Sequence, residues 1–380
     1  MHYLDHAATS PLRPTAREAW LKAADAVGNP SALHGEGRRR RAIVEEARER
    51  IAAALGAHPG EVILLSGGTE ADNLAIKGLW WGRGGAGRVV STAVEHHAVL
   101  DPVRWLGDMD DAVVAEVGVS RDGVVDVDAF AAALPGASLA TAMWVNNEVG
   151  AIQPVAALAA AAAEAGVPMH CDAVQAVAYE DVSFAESGLT TMAVSAHKLG
   201  GPVGVGALLA RRGAPVAPLL HGGGQERKVR SGTVDAAGAA AFAAALEEVV
   251  AHRESERERV SALASRLADG IRDAVPDAVV RGASSEGAPH IVHVVVPGAS
   301  SEAMLMLMDA AGVAVSSGSA CTAGVVERSH VLQAMGHDAE ESRSAVRFSL
   351  GWTTAGADVD AALAALPEAV SRARAAGGMR

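Results

Sequence analysis

The first stretch that could do chemistry is Ser66-Gly67-Gly68-Thr69-Glu70, which follows an apolar run and precedes a helical pattern. Glycines let the backbone approach a ligand closely, and free N–H groups at a helix start favour a phosphate. Thr69 could add a hydroxyl donor to such a site. The alternative is an ordinary strand-to-helix turn in which Thr69 caps the helix. Taken alone, the motif favours that alternative.

Two more candidate residues stand at the ends of later apolar runs. Asp172 directly follows one run, where a carboxylate can cap a helix or can hold a protonated ring nitrogen by a charge-assisted hydrogen bond. Lys198 lies between another run and a glycine-rich turn. Partial desolvation and nearby cations there would lower its pKa from ~10.4 and free the amine to form a Schiff base. A lone lysine is otherwise more often a surface residue.

A phosphate cradle, an acid for a ring nitrogen and a reactive lysine are together what pyridoxal phosphate requires of a protein. His96, which also follows an apolar run, could stack on the cofactor ring. The alternative is that His96 and His97 form a pair at a helix start that faces solvent. No Cys/His set with zinc-ligand spacing accompanies them, so we predict no metal site.

Cys321 lies in the small-residue stretch 316–324, whereas a structural cysteine is normally buried among apolar side chains. A stretch of this kind can present a thiol and then withdraw it. Nearby cations would raise the fraction of thiolate, which is the reactive form. Cys321 is therefore a candidate reactive thiol, while Cys171, inside an apolar run, is predicted to belong to the core.

These residues need a scaffold that brings several strand ends together. Strand-like runs alternate with helical patterns in the first half of the chain, which predicts a mainly parallel sheet covered by helices. Ligands of such sheets bind beyond the carboxyl ends of the strands. The predicted strands are 62–65, 88–92, 113–117, 139–145, 167–171, 192–195 and 206–210, and the predicted helices around them are 15–27, 38–55, 70–79, 94–105 and 155–165.

The second part of the chain predicts a smaller α+β unit. A long helix over 236–274 contains the charged run 252–259, which we interpret as a solvated hinge. The later predicted elements are a strand at 290–296 and helices at 301–311 and 358–375. We predict a large cofactor-binding domain over 15–250 and a small domain, formed by 1–14 and 251–380, that carries the loop with Cys321.

Composition excludes several classes of protein. Of 380 residues, 50% are hydrophobic and 20% are charged, which excludes intrinsic disorder. The net charge of −13 argues against direct binding to nucleic acid or to an anionic membrane surface. Two cysteines exclude a disulfide framework and fit a reducing compartment. We find no secretory signal pattern and no bilayer-length apolar stretch, so we expect a cytoplasmic location.

The ordered set of motifs resembles that of the cysteine desulfurases, in the class V aminotransferase branch of the fold-type I pyridoxal-phosphate enzymes. The resemblance extends almost from end to end, and the order and spacing fit throughout. The matching segments are LDHAAT (4–9), GNPS (28–31), SGGTEADNLA (66–75), EH (95–96), VNNEVG (145–150), DAVQ (172–175), SAHK (195–198), GGGQE (222–226), RSGT (230–233), SGSACT (317–322) and RFS (347–349).

The resemblance implies fold type I: an α/β fold with a mainly parallel seven-stranded sheet between helices in the large domain, plus a smaller α+β domain. It also implies how pyridoxal 5′-phosphate would be held. The phosphate would be bound by four residues of one chain, Gly68, Thr69, Ser195 and His197, and by Thr233 of a neighbouring subunit, which implies a homodimer. The rest of the cofactor would meet Lys198 at its aldehyde, Asp172 at the pyridine nitrogen, Gln175 at the phenolic oxygen and His96 on the ring face.

The resemblance further implies the reaction. L-Cysteine would become L-alanine, with Asn147 and Arg347 holding the substrate carboxylate, for which a guanidinium fork is suited. His96 and Lys198 would move protons, and Cys321 would take the sulfur as a persulfide for an acceptor protein. That acceptor would serve iron–sulfur assembly or the thiolation of tRNA or a cofactor. The length and Ser/Gly content of the loop resemble the desulfurase group with a longer, mobile loop.

Two other functions are alternatives at this point. One is a different class V enzyme, such as a selenocysteine lyase or an aminotransferase; Cys321 argues against an aminotransferase, which needs no nucleophilic thiol. The other is a non-catalytic sulfur-carrier scaffold. The intact set of Lys198, Asp172, His96 and Cys321 argues against a scaffold, which has no physical need for all four.

Overall fold

The structure is a computed structural model that describes residues 1–282, 287–318, 321–322, 325–326, 328–338 and 341–377. The strands are β1 (His2–Tyr3), β2 (Val62–Leu65), β3 (Arg88–Thr92), β4 (Val113–Val117), β5 (Ala137–Thr141), β6 (Met169–Asp172), β7 (Thr191–Ser195), β8 (Gly206–Ala210), β9 (Val279–Gly282), β10 (Ile291–Val295), β11 (Val313–Ala314), β12 (Cys321–Thr322), β13 (Val325–Val326) and β14 (Ala345–Ser349). The helices are α1 (Pro14–Ala24), α2 (Gly35–Ala54), α3 (Gly68–Gly82), α4 (His97–Met109), α5 (Val127–Ala133), α6 (Val155–Glu164), α7 (Ala236–Ala274), α8 (Ser301–Ala310), α9 (His330–Ala334) and α10 (Gly356–Gly377).

Seven strands form the central sheet, in the order β2-β8-β7-β6-β5-β3-β4. Only β8 runs against its neighbours, pairing antiparallel with both β2 and β7. Every residue of β2, β6 and β7 is buried, as expected for strands covered by helices on both faces. The predicted mainly parallel seven-stranded sheet is therefore confirmed.

A second, three-stranded antiparallel sheet has the order β14-β10-β9. It packs with α8 and α10 around a separate core that includes Leu4, Ile271 and Phe348. The long helix α7 supplies both cores: its first half, up to Val249, packs with the central sheet, and Val260 begins the part that packs with the smaller one. Leu4 brings the start of the chain to the smaller sheet.

The helix α7 continues unbroken through the charged run 252–259, where the sequence predicts a hinge. None of the side chains in this run is buried, and half of them are exposed, so the run is solvated as predicted. Arg253 pairs with Asp181 at 2.8 Å, and Arg257 pairs with Glu180 at 2.9 Å. The prediction of a hinge is wrong because one continuous helix crosses the run.

Several predicted element ends differ from the structure near the site. The strand predicted at 139–145 ends at Thr141, and the helix predicted at 70–79 already begins at Gly68. The stretch 316–324, predicted as a loop, contains β12, which pairs antiparallel with β13. Among the described residues, no helix is both long and apolar enough to cross a membrane.

Candidate active site

A cavity of about 250 Å³ lies where the carboxyl ends of β2, β3, β5, β6 and β7 meet. It is the place where an open α/β sheet binds its ligand. The structure brings nine of the predicted site residues together there. The lining side chains are Gly68, Thr69, Asp72, His96, Ala98, Met143, Asn147, Asp172, Val174, Gln175, Ser195, His197 and Lys198.

One end of the cavity is the start of α3. The cap residue Gly67 has a φ of 151°, which favours glycine, and no side chain caps the helix. A Cβ on Gly68 would lie 2.9 Å from Val174 Cγ2. Ser195 Oγ is buried and has no hydrogen-bond partner within the described ranges. This end of the cavity is suited to a phosphate, because it offers N–H groups without a cap, a hydroxyl without a partner and a backbone that a ligand can approach closely. The alternative in which Thr69 caps the helix is wrong, because no side chain caps α3.

Glu70 ties this end of the cavity to a distant segment. Its carboxylate accepts hydrogen bonds from the backbone N–H and hydroxyl of Ser66, both at 2.6 Å, and from Arg230 Nε at 3.0 Å. Burial raises the pKa of Glu70, but these hydrogen bonds outweigh it and the net pKa is lowered. Glu70 therefore stays ionised and fixes the position of the segment that carries Thr233.

Asp172 is the last residue of β6 and is almost fully buried. Its Oδ1 accepts a hydrogen bond from the Val174 N–H at 2.9 Å. Burial raises the pKa of Asp172, and the positive charges of His96 and Lys198 oppose that rise. A buried carboxylate in this position is stabilised by a cation, and a protonated pyridine nitrogen would supply one.

Lys198 follows β7 in a short turn of 3-10 helix and reaches across the cavity. Its Nζ donates to the carbonyl oxygens of Ala7 at 2.6 Å and Ala8 at 2.8 Å. Burial, together with the positive charge of Arg347, lowers the pKa of Lys198 to about 8. With that pKa, about a tenth of the amine is unprotonated at pH 7, compared with a negligible fraction for an ordinary lysine.

Two histidines, His96 and His197, line the cavity. His96 caps α4, and its Nδ1 accepts the Ala98 N–H at 3.1 Å, which leaves Nε2 for the cavity. Burial and the positive charge of Lys198 lower the pKa of His96, and the negative charge of Asp172 opposes this change. Burial and Lys198 lower the pKa of His197 to about 4. His96 thus lines the cavity with an exposed side chain, and its place on the cofactor ring stays a prediction.

Arg347 lies behind the cavity, on β14 of the smaller sheet. It is buried, with Nη1 donating to the Asn147 carbonyl oxygen at 2.8 Å and Nη2 to Asp5 Oδ1 at 2.7 Å. Its Nε has no partner among the described residues. Arg347 itself does not line the cavity, so its reach to a substrate carboxylate stays a prediction, in which Asn147 is the nearer residue.

Besides Arg347, two predicted site residues do not line this cavity: Thr233 and Cys321. Thr233 is exposed and lines a separate cavity of about 290 Å³ together with Ser31 and Gln225. The backbone of Cys321 lies in β12, opposite Val326 in β13. The side chain of Cys321 lies outside what the structure describes.

The sequence interpretation missed three residues that shape the site. Asp5 lies in the motif LDHAAT (4–9), but no role was predicted for it. Asp72 lines the cavity, and its Oδ1 lies 3.1 Å from His170 Nε2. His290 lies next to Gln175, with 3.3 Å between the imidazole Nε2 and the amide Oε1. Asp72 lies inside the motif SGGTEADNLA (66–75), so the sequence does contain a signal for it. No local signal identifies His290, because 115 residues separate it from Gln175. Nowhere in the described part of the chain do three His, Cys, Asp or Glu side chains cluster to hold a metal ion.

Comparisons with known proteins agree with this geometry. The sequence profile described as Aminotransferase class-V matches residues 2–362. The chain is 49% identical to an IscS-like cysteine desulfurase of Mycobacterium tuberculosis, over 98% of this chain and 97% of the relative. It is 38% identical to the cysteine desulfurase IscS of Dictyoglomus turgidum, over 98% of this chain and 95% of the relative.

Solved structures extend the comparison to the fold. A NifS-like protein superposes with a TM-score of 0.90 at 30% identity, covering 97% of this chain and 99% of its own. A structure titled SspA in complex with cysteine superposes with a TM-score of 0.81 at 28% identity, covering 92% of this chain and 99% of its own.

Fold, cavity and relatives together define an enzyme of the class V aminotransferase family, and the chain belongs to that family. The residues at the cavity fit pyridoxal phosphate, because an uncapped helix start and a bare buried hydroxyl meet its phosphate while a buried carboxylate meets its ring nitrogen. Within the family, the protein is a pyridoxal-phosphate-dependent cysteine desulfurase, as are the curated relatives that match it over nearly their whole length.

Proposed function

We propose that this cysteine desulfurase converts L-cysteine to L-alanine and holds the released sulfur as a persulfide on Cys321, from which an acceptor protein receives it. The observation that carries the proposal is where the segment with Cys321 begins and ends. Ser316 pairs with Arg347 through two backbone hydrogen bonds of 3.1 and 2.6 Å. At the other end, Ser329 Oγ donates to Glu148 Oε2 at 2.5 Å. Both stems therefore start beside Asn147 and Arg347, at the edge of the site.

In the proposed arrangement, Gly68, Thr69, Ser195 and His197 bind the cofactor phosphate. Asp172 keeps the ring nitrogen protonated, and His96 covers the ring. Bound pyridoxal phosphate supplies an electron-withdrawing ring that weakens the bonds at the substrate Cα. The lowered pKa of Lys198 suits an amine that removes a proton at Cα and returns it.

The transfer of sulfur from the substrate to Cys321 needs no added oxidant. The Cys321 thiolate forms a bond to the substrate sulfur as the bond between that sulfur and Cβ breaks. The electron pair of the broken bond stays on carbon, which takes up a proton and becomes the methyl group of alanine. The carbon is reduced and the two sulfur atoms are oxidised to a persulfide. Asn147 and Arg347 hold the substrate carboxylate during this step.

Two further partners belong to the proposal: a second copy of this chain and a protein that accepts the sulfur. Because Thr233 is exposed and lies outside its own chain's cavity, we infer that it reaches the cofactor phosphate of a second copy, in a homodimer. The persulfide needs an acceptor thiol and a reducing compartment, which supports a cytoplasmic location. Iron–sulfur assembly and tRNA or cofactor thiolation are the processes that consume sulfur in this form.

The test is mass spectrometry of the protein after exposure to L-cysteine. The wild type should gain one sulfur atom on the peptide that contains Cys321. Cys321→Ala should keep the visible absorption of the bound cofactor while losing both the added sulfur and alanine release. Cys171→Ala is the matched control, since Cys171 is fully buried in β6, and should behave as the wild type. Alanine release by Cys321→Ala at the wild-type rate would overturn the proposal.

A further inference from the structure

We propose that His290 is a positioning residue that orients the side-chain amide of Gln175, so that an N–H group and not the carbonyl oxygen faces the ring oxygen of the cofactor. The inference rests on the proposed role of Gln175 at that oxygen. It adds a residue from the smaller-sheet side of the molecule, just before β10, to a site otherwise built at the ends of the central strands.

The orientation of the Gln175 amide is fixed first by a backbone carbonyl. Gln175 Nε2 lies 2.8 Å from the Ala7 carbonyl oxygen, which can only accept a hydrogen bond. The amide nitrogen must therefore face Ala7, and the amide oxygen occupies the other position on the same carbon. The same carbonyl oxygen accepts from Lys198 Nζ at 2.6 Å, so Ala7 connects the two cofactor-facing residues.

His290 holds the other end of the amide. Its Nε2 lies 3.3 Å from Gln175 Oε1, and because an amide oxygen can only accept, Nε2 must carry the hydrogen. The ring stacks on Tyr179 with centroids 4.5 Å apart and planes 23° apart, which fixes its plane. Nδ1 is buried and has no partner in the part of the chain that the structure describes, as suits the bare nitrogen of this tautomer.

The imidazole stays neutral across the working range. His290 is buried, and burial together with the positive charges of Arg347 and His6 lowers its pKa to about 3. Tyr179, the group stacked on it, has its pKa raised by burial and is uncharged as well. The tautomer of His290 therefore does not change with pH, and neither does the orientation that it imposes on Gln175.

The two contacts of the Gln175 amide leave its second N–H group for the cofactor. One N–H is bound to Ala7 and the oxygen faces His290, so the second N–H is the group left for the cavity that Gln175 lines. A donor stabilises the anionic form of the ring oxygen, whereas a flipped amide would present a repelling carbonyl. Without His290, the amide loses one of the two contacts that oppose the flip, and the contact with the Ala7 carbonyl oxygen remains.

The experiment is a pH titration of the visible absorption of the cofactor-loaded enzyme. His290→Phe keeps a ring against Tyr179 and removes the N–H, so the titration midpoint should rise by about one pH unit. His290→Gln, which can again donate to the amide oxygen, should move the midpoint back toward the wild type. If His290→Phe does not load with cofactor, His290→Leu makes the same test without the bulk of the phenyl ring.

Two further variants separate the possible failures. Gln175→Ala should raise the midpoint as well, and the double variant with His290→Phe should shift it no further than Gln175→Ala alone. His293→Phe is the matched control, because His293 lies in β10, is buried like His290 and has no side-chain hydrogen bond that the structure describes; this variant should leave the midpoint unchanged. An unshifted midpoint in Gln175→Ala would overturn the proposed role of Gln175 and with it this inference. A shift in Gln175→Ala with none in His290→Phe would overturn the inference alone.

Discussion

The two sides of the cavity are built in different ways. On the side of the central sheet, Asp172 and His96 each accept a hydrogen bond from a backbone N–H two residues further on. On the side of the smaller sheet and the chain start, Arg347 binds Asp5 across 342 residues of sequence and Lys198 binds Ala7 across 191. The first side is positioned by local structure, and the second only by the completed fold.

This difference suggests a division of labour that mutations can test. In the proposed arrangement, the locally built side would bind the cofactor, so substitutions there should affect the chemical step. The side assembled over long range would bind the substrate carboxylate, and its Arg347 lowers the pKa of Lys198, so substitutions there should affect substrate binding and the protonation of Lys198.

The largest effect is expected at Asp172. Asp172→Asn removes the charge that keeps the ring nitrogen protonated, so kcat should fall by about 10³-fold or more while the cofactor stays bound. Steady-state kinetics and absorption spectra measure the two quantities. Asp108→Asn, at an exposed position of α4, is the control and should match the wild type. A kcat within tenfold of the wild type in Asp172→Asn would contradict the role of the locally built side.

The next effect is on stability, through the buried ion pair between Arg48 and Glu226. Both Arg48 Nη atoms lie 2.7 Å from Glu226 carboxylate oxygens, and Glu226 also accepts the Leu64 N–H at 2.9 Å, which ties β2 to the segment leading to Thr233. Glu226→Ala removes the buried partner of the Arg48 guanidinium and leaves it with the exposed carboxylate of Glu45, so the free energy of unfolding should fall by about 3–5 kcal/mol.

Urea denaturation measures this loss, with Glu36→Ala as the control. Glu36 pairs with Arg39 on the surface of α2, where an ion pair contributes about 0–1 kcal/mol. Equal losses in the two variants would show that the pair does not hold the phosphate end of the cavity in place.

A smaller effect is expected at Arg347, on the side assembled over long range. Arg347→Lys keeps the charge but loses the planar fork, so KM for L-cysteine should rise by about 10- to 100-fold with a smaller change in kcat. Initial-rate measurements over a range of L-cysteine concentrations separate the two constants. A large fall in kcat at an unchanged KM would place Arg347 in the chemical step and break the proposed division.

The smallest effect is on pH dependence. Because the pKa of Lys198 is lowered to about 8, the unprotonated amine increases about tenfold per pH unit below pH 8 and levels off above it. The rate at which the cofactor-free protein takes up pyridoxal phosphate should follow that curve. Arg347→Gln removes a positive charge that lowers this pKa, so its midpoint should move to higher pH. A midpoint that stays in place would show that Arg347 does not influence the amine.

The locally built side is also the side that the sequence predicts. The run of Gly67 and Gly68 after an apolar strand, and Asp172 at the end of another, mark strand ends by spacing alone. Their elements shifted by only a few residues in the structure, because helix starts depend on caps such as Gly67 that pattern reading misses.

The other side could not be predicted from spacing. Arg347 and Thr233 were identified only through the resemblance to a family, and His290 was not identified at all. The positions of Arg347 and His290 depend on the pairing of β14 with β10 in a second sheet and on the chain start, which packs against that sheet from hundreds of positions away. The charged run of α7 is solvated as its composition predicts, but it does not interrupt the helix.

The central claim is that Lys198 is the residue to which the cofactor is tethered. The most direct measurement is borohydride reduction of the loaded enzyme followed by peptide mapping, since the chain has only three other lysines, Lys22, Lys77 and Lys228. The account predicts that the cofactor is fixed on the peptide that contains Lys198, and that Lys198→Ala fixes none. Cofactor fixed on another lysine in the wild type, or fixed equally in Lys198→Ala, would contradict it.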